Sequence, residues 1–222
     1  MISNSKLEDY IVSIIDAEDP LLYELNRETH LKMMHPRMLN GQWQGQILQM
    51  ISYMYRPKRI LEIGTYTGYS AICLSKGMPD DGIIHTIEIN DEIVEIPMRY
   101  FEKAGLKEKV VLHIGDALKI IPTLEEKFDL VFIDGEKSQY LDYYKSIFAK
   151  VKPGGFILAD NILWSGKVID KVEKNDYFTK GIIEFNEFLK SDARITKTIL
   201  PIRDGMMLIR KNNTVLTERS KD

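Results

Sequence analysis

The chain has 222 residues, 44% of them apolar and 28% charged, with a net charge of -3, which suffices for one large domain or a domain with an appendage. That charge gives no global pull toward nucleic acid or an anionic membrane, and the lone cysteine, Cys73, excludes an intramolecular disulfide framework and a thiolate metal cluster. No apolar run approaches the roughly 20 residues of a membrane span, and the opening MISNSKLEDYIVSIID is acidic where a signal peptide starts basic, so the cytoplasm is the expected location.

Before residue 57 the pattern is helical. Leu7, Tyr10, Ile11, Ile14 and Ile15 fall on one helix face, and a second run covers Leu21 to Met34. HPRMLNG (35–41) breaks the helix at Pro36 and closes on Asn40-Gly41, and a third helix is predicted over Gln44 to Tyr55, ending before Pro57. From Lys58 onward strands alternate with helices. RILEIG (59–64), GIIHTIEI (82–89), KVVLHIGD (109–116), FDLVFIDG (128–135) and GGFILADN (154–161) read as strands, with helices between them that include Tyr69 to Lys76 and Glu92 to Ala104. Apolar strands in that alternation predict a parallel sheet covered on both faces. RITKTILPI (194–202), Asp204-Gly205 and MMLIRK (206–211) then read as two strands joined by a tight turn. The expected fold is α/β: a single domain over 1–222, with a helical extension (1–56) and a Rossmann-like core (57–222). Its mostly parallel, seven-stranded sheet finishes in an antiparallel hairpin.

Ligands of open α/β sheets bind beyond the carboxyl ends of the strands. The first such end is LEIGTYTGYS, with Gly64 and Gly68 around the turn into a helix. Gly64 tolerates a sharp turn and lets a ligand approach the main chain. Tyr66 stands where a dinucleotide fingerprint needs its second glycine, and no Gly-Lys-Ser/Thr follows, so neither NAD nor a nucleoside triphosphate is indicated. The second strand ends at Glu88, where a carboxylate can accept from both hydroxyls of a ribose. The third ends at Gly115-Asp116-Ala117, where Asp116 can accept from an adenine amino group, and Glu62 on the first strand can take an ammonium. A ribose, an adenine and an amino acid without phosphate describe S-adenosylmethionine. A strand-terminal acid is ordinarily a plain helix cap, but three in one sheet favour the ligand.

The fourth strand ends at Asp134 and the fifth at Asp160-Asn161. If these strands are neighbours they lie about 4.8 Å apart, and two carboxylates so close repel unless a cation or a proton lies between them. Two Asp and an Asn carbonyl are hard oxygen donors, suited to Mg²⁺, Mn²⁺ or Ca²⁺ over zinc. Three protein ligands leave about three octahedral positions open, enough for two vicinal hydroxyls of an aromatic and a water. Coordination lowers the pKa of a phenol from about 10. Lys137, three residues beyond Asp134, can reach the same hydroxyl, and beside a divalent cation its pKa is expected to fall toward that of a general base. The everyday alternatives are two unrelated caps and an exposed lysine at a helix start. His30, His35, His85 and His113 show no zinc spacing.

LEIGTYTGYSA, FIDGEKSQY, ADNILWSG and DGMMLIRK, in that order, resemble the cation-dependent class I methyltransferases, the group of catechol O-methyltransferase and plant caffeoyl-coenzyme A O-methyltransferase. The resemblance runs from about Met38 to the C-terminus. It implies the class I methyltransferase fold and an S-adenosylmethionine-dependent methyl transfer to a hydroxyl by in-line displacement. By position it assigns Asp134, Asp160 and Asn161 to the metal and Lys137 to the catalytic base. Cofactor contacts fall on Met38, Asn40, Glu62, Gly64, Tyr66, Ser70, Glu88, Asp116 and Ala117, with Asp134 at their border. Trp164 matches a segment that can wall an aromatic ring, although alone it reads equally as packing. Thr198 stands near a glutamate of the animal catechol enzymes and Glu136 where they have tryptophan, which puts the chain nearer the bacterial and plant branch. The expected acceptor is a small ortho-dihydroxy phenolic. The alternative is a hydroxylated wobble uridine of tRNA, for which RPKR (56–59) and IRKNN (209–213) supply basic residues. The apolar N-terminal helices, like the family, point to a homodimer.

Overall fold

The computed structural model describes residues 5–213; residues 1–4 and 214–222 of the expected domain lie outside the described residues. Three helices come first: α1 (Ser5–Ile14), α2 (Pro20–Lys32) and α3 (Gly41–Tyr55). Asp19 starts α2 by accepting from the Leu21 N–H at 2.9 Å, with Pro20 in the first turn where its missing N–H does no harm. α3 begins three residues earlier than the expected Gln44, at Gly41, whose positive φ of 74° marks the bend by which the chain enters the helix and suits a glycine.

The core follows as β1 (Arg59–Ile63), α4 (Tyr69–Ser75), β2 (Ile83–Glu88), α5 (Glu95–Lys103), β3 (Val110–Ile114), α6 (Ala117–Ile120), β4 (Phe128–Ile133), α7 (Tyr140–Phe148), β5 (Val151–Ala159), α8 (Tyr177–Ser191), β6 (Ile195–Leu200) and β7 (Met206–Lys211). They form a seven-stranded sheet in the order β3-β2-β1-β4-β5-β7-β6. β1 to β5 run parallel, and β7 runs antiparallel to both β5 and β6. The sheet is apolar on both faces because helices cover both. Leu61, Val131, Ile133, Ile157 and Ala159 pack with Tyr140, Tyr144, Ile182 and Phe185 on one side. Ile60, Leu130, Phe132 and Leu158 pack with Leu48, Ile72 and Leu74 on the other. Among the described residues no helix is long and apolar enough to cross a membrane.

Three further elements differ from expectation, each for a local reason. The helix expected over Glu92 to Ala104 is split: Asn90 accepts from the Glu92 N–H at 3.0 Å and starts a short 3₁₀ turn, and α5 follows it. β5 begins at Val151 instead of Gly154, with a register shift that lets residues 152–155 bulge between the Val151 and Phe156 pairings. The hairpin connection is longer than a tight Asp-Gly turn. Leu200 pairs with Met206, and the β-turn lies inside the loop, where the Gly205 N–H donates to the Ile202 carbonyl at 2.7 Å.

Strand order reverses between β1 and β4, and the crevice opens there. Ile87, Ile63, Ile133 and Ala159 share one registered row across β2, β1, β4 and β5. The ladder runs on to the tips, with the Asp134 N–H on the Ile63 carbonyl at 2.8 Å and the Asp160 N–H on the Ile133 carbonyl at 3.0 Å. Gly64, Asp134 and Asp160 are thus side by side.

Candidate active site

A cavity of about 1100 Å³ occupies the crevice. Of the residues singled out in the sequence, Met38, Asn40, Gly64, Tyr66, Ser70, Glu88, Ala117, Asp134, Lys137, Asp160, Asn161 and Trp164 line it. At Gly64, with φ 101°, a β-carbon would stand 2.4 Å from the Asp134 carbonyl oxygen, so a bare backbone is what lets the first loop close against the fourth strand's tip.

One half of the cavity is built from the loops after β1, β2 and β3. Glu88 is buried, and its two oxygens accept from the main-chain N–H groups of Tyr66 at 2.7 Å and Asn90 at 2.9 Å. These bonds fix the carboxylate at the tip of β2, facing the cavity.

Two expected cofactor contacts do not line the cavity. Glu62 is fully buried in the sheet, with Ser70 Oγ donating to one oxygen at 2.6 Å and Thr86 Oγ1 to the other at 2.5 Å. Side chains alternate along a strand, so Glu62 shares the face of Ile60 beneath α4 and is turned away from the tip. Burial pushes its pKa up to about 8, against the pull of the Ser70 and Thr86 hydroxyls and with help from the Asp134 and Glu88 charges. It holds Ser70, which lines the cavity, and offers no free oxygen to an ammonium. Asp116 keeps the everyday role: it caps α6 by accepting from the Leu118 N–H at 2.9 Å, a donor that the helix itself cannot satisfy. Its neighbours Gly115 and Ala117 line the cavity in its place.

The other half is a cluster of charge. Asn40 Nδ2 lies 3.4 Å from Asp134 Oδ2 and 3.5 Å from Asp160 Oδ2, so both carboxylates converge within reach of one small group. Gln44 Nε2 donates to Asp160 Oδ2 at 2.7 Å, and the Asn161 N–H donates to Asp160 Oδ1 at 2.8 Å. Asp160 is 3% exposed. Burial raises its pKa, Asp134 raises it further, and Lys137, Gln44 and the Asn161 N–H oppose the rise. Lys137 Nζ donates to Asp134 Oδ1 at 2.7 Å and to the Tyr140 hydroxyl at 2.8 Å.

The expected fall in the Lys137 pKa is not what the chain alone produces. Burial pulls it down, but the Asp134 carboxylate, helped by the Tyr140 hydroxyl and by Asp160, outweighs burial and holds it above the ordinary lysine range. The expectation counted the charge of an ion; without one, the carboxylates decide. The donor set fits a hard divalent ion nonetheless: two converging carboxylates with Asn161 on the same wall, all of them oxygen donors.

Three residues of the site, two on the cavity wall and Gln44 buried behind it, carry no functional signal in the sequence. Phe178 stands edge-on to Trp164, ring centroids 6.2 Å apart at 73°, and both line the cavity. Gln44 and Arg203 complete the side around Asp160. Phe178 lies in an aromatic Tyr-Phe pair at a helix start, the only signal it gave; a glutamine and an arginine carry none until their partners are known.

A family model described as O-methyltransferase matches residues 12–212. Caffeoyl-CoA O-methyltransferase 5 of Nicotiana tabacum is 34% identical over 224 residues, covering 95% of this chain and 93% of its own. The corresponding enzyme of Petroselinum crispum is also 34% identical, with 95% and 92% covered. Among solved structures, the O-methyltransferase TomG of Streptomyces achromogenes, in complex with SAM, superposes with a TM-score of 0.88 at 29% identity, covering 96% of this chain and 100% of that one. An O-methyltransferase from Bacillus cereus in complex with SAH gives a TM-score of 0.87 at 28% identity, with 93% and 97% covered. The chain belongs to the O-methyltransferase family, as an S-adenosylmethionine-dependent enzyme of the caffeoyl-CoA O-methyltransferase type.

Proposed function

We propose that this enzyme methylates one hydroxyl of a small ortho-dihydroxy aromatic with the help of a divalent cation, Mg²⁺ or Mn²⁺. One observation carries the reading: Asp134 and Asp160 converge on a point that Asn40 Nδ2 approaches to 3.4 and 3.5 Å, with Lys137 bonded to the first of them. Asp134, Asp160 and Asn161 would hold the ion. A bound ion lowers the pKa of a coordinated phenol and offsets the carboxylate charge that otherwise keeps the proton on Lys137.

The remaining chemistry falls to the chain. Glu88, Gly64, Tyr66, Ser70, Ala117, Met38 and Asn40 form the cofactor wall. Glu62 steadies Ser70 from beneath. The acceptor oxygen attacks the methyl carbon in line with the sulfonium, the C–S bond breaks as the C–O bond forms, S-adenosylhomocysteine leaves as the thioether with the electron pair, and the neutral Lys137 amine takes the hydroxyl proton. Trp164 and Phe178 flank the acceptor ring. The exposed Tyr10 and Ile14 of α1 and Met50, Tyr53 and Met54 of α3 support assembly as a homodimer.

The test is methyl transfer to catechol, followed by mass spectrometry of the methyl ether, with chelator and after adding back Mg²⁺ or Mn²⁺. Activity is expected to vanish and return. Turnover that persists undiminished in chelator removes the ion from the reading, and transfer to bulk tRNA in place of phenols replaces the acceptor.

A further inference from the structure

The loop between β6 and β7 reaches into the site through one side chain. Arg203 holds a φ of 45°, in the left-handed region that non-glycine residues rarely occupy. Its Nη1 donates to the Leu39 carbonyl at 3.1 Å, to the Asn40 carbonyl, and to Gln44 Oε1 at 3.2 Å. Gln44 is 1% exposed, and its amide nitrogen is the group that donates to Asp160 Oδ2 at 2.7 Å.

A glutamine amide has a donor end and an acceptor end of almost equal size, and its neighbours decide which way round it sits. Arg203 can only donate. With a guanidinium at one end, the Gln44 oxygen must face Arg203 and its nitrogen must face Asp160. Without Arg203 the oxygen end loses its donor, only Asp160 still holds the amide, and the side chain is free to swing away from the angle at which it meets that carboxylate. The same guanidinium pins the Asn40 carbonyl, and Asn40 carries the amide lying between Asp134 and Asp160. Both Asp160 oxygens then have fixed donors, Gln44 on one and the Asn161 N–H on the other, so its carboxylate plane is set from the hairpin loop.

We propose that Arg203 is a positioning residue: it fixes the orientation of Gln44, which in turn aims the Asp160 carboxylate at the centre it shares with Asp134, and so sets the affinity for a divalent cation. This rests on the divalent-ion reading above. Groups that orient metal ligands from outside typically change metal affinity by about 10–100-fold when removed.

The test is titration of Mn²⁺ into the full-length protein, reading free Mn²⁺ by electron paramagnetic resonance, for wild type, Arg203→Gly, Gln44→Met and the double variant. Arg203→Gly suits the backbone angle at that position, so its thermal midpoint is expected at or above that of wild type while its Mn²⁺ affinity falls about 10–100-fold. Gln44→Met is expected to lose a comparable amount, and the double variant less than the two losses combined, because both act on one carboxylate. Wild type that binds Mn²⁺, with either variant binding equally well, overturns the positioning role and leaves the divalent-ion reading standing. Wild type that takes up no Mn²⁺ overturns both.

Discussion

The tips of β1, β2 and β3 and the tips of β4 and β5 lie along one edge of one sheet, yet their acids are treated in opposite ways. In the first group the acids are held singly and mainly by neutral donors: Glu62 by two hydroxyls, Glu88 by two main-chain N–H groups, and Asp116 by one N–H with the exposed Lys119 ammonium 3.8 Å away. In the second, Asp134 and Asp160 are pressed together and answered by the Lys137 ammonium and two amides. Neutral donors fix the shape of a wall, as suits a cofactor recognised by hydrogen bonds. Carboxylates crowded on one point leave unbalanced negative charge in a buried place, as suits a cation and a base that depends on it. Architecture supplies the edge; whether neighbouring acids stand apart or converge on one point divides it into two kinds of site.

The largest expected effect comes from the charged half. Lys137→Ala is predicted to cut kcat by about 10²–10⁴ while S-adenosylhomocysteine binds as before, because the amine touches Asp134 and Tyr140 and none of the cofactor-wall acids. Single-turnover rates beside calorimetric titration of the cofactor product separate the two effects. A near-normal kcat would show that another group takes the proton, and a lost cofactor affinity would erase the division between the halves.

Glu62 offers the next test, through pH. Its folded-state pKa of about 8 lies above the ordinary 4.5, so the folded protein keeps a proton that the unfolded chain gives up. The stability this supplies is full below the unfolded pKa and is lost as pH rises through the folded one. Wild type is therefore expected to lose urea resistance between about pH 5 and pH 8, and Glu62→Gln to flatten that decline. Identical slopes for the two proteins would mean that Glu62 is ionised in the fold, contrary to its burial among hydroxyls.

Much of this was legible in the sequence wherever a signal is local. The alternation of apolar strands and helices, the glycine at the end of RILEIG and the acids at the ends of the fourth and fifth strands gave the sheet, the crevice and the charged cluster. Two kinds of information were not local. One is which face a strand residue takes near a tip: Glu62 is a single residue from the end of β1, and the alternation of side chains turns it beneath α4. The other is distant pairing. Gln44 meets Asp160 across 116 positions of sequence, and Arg203 meets Gln44 across 159, with no periodicity to announce either contact. The hairpin connection is misleading in the sequence for a related reason. Asp204-Gly205 carries the turn signal, but the strand register set by Leu200 and Met206 is fixed only in the folded sheet.

The smallest effect tests the weakest member of the neutral-donor group. Asp116 stands at the end of β3 as Glu88 stands at the end of β2, yet its carboxylate is spent on the first turn of α6. Replacing a capping aspartate by alanine removes the acceptor for one orphan N–H and typically costs about 1 kcal/mol. Asp116→Ala is therefore expected to lower stability by about that amount in urea unfolding, with S-adenosylhomocysteine affinity close to that of wild type. The opposite pattern, unchanged stability with cofactor binding weakened by about tenfold or more, would mean that the side chain leaves the Leu118 N–H and turns to the cavity when the adenosine arrives. Asp116 would then join Glu88 as a direct contact, and the acids of the first three strand tips would be divided by ligand occupancy instead of by fold.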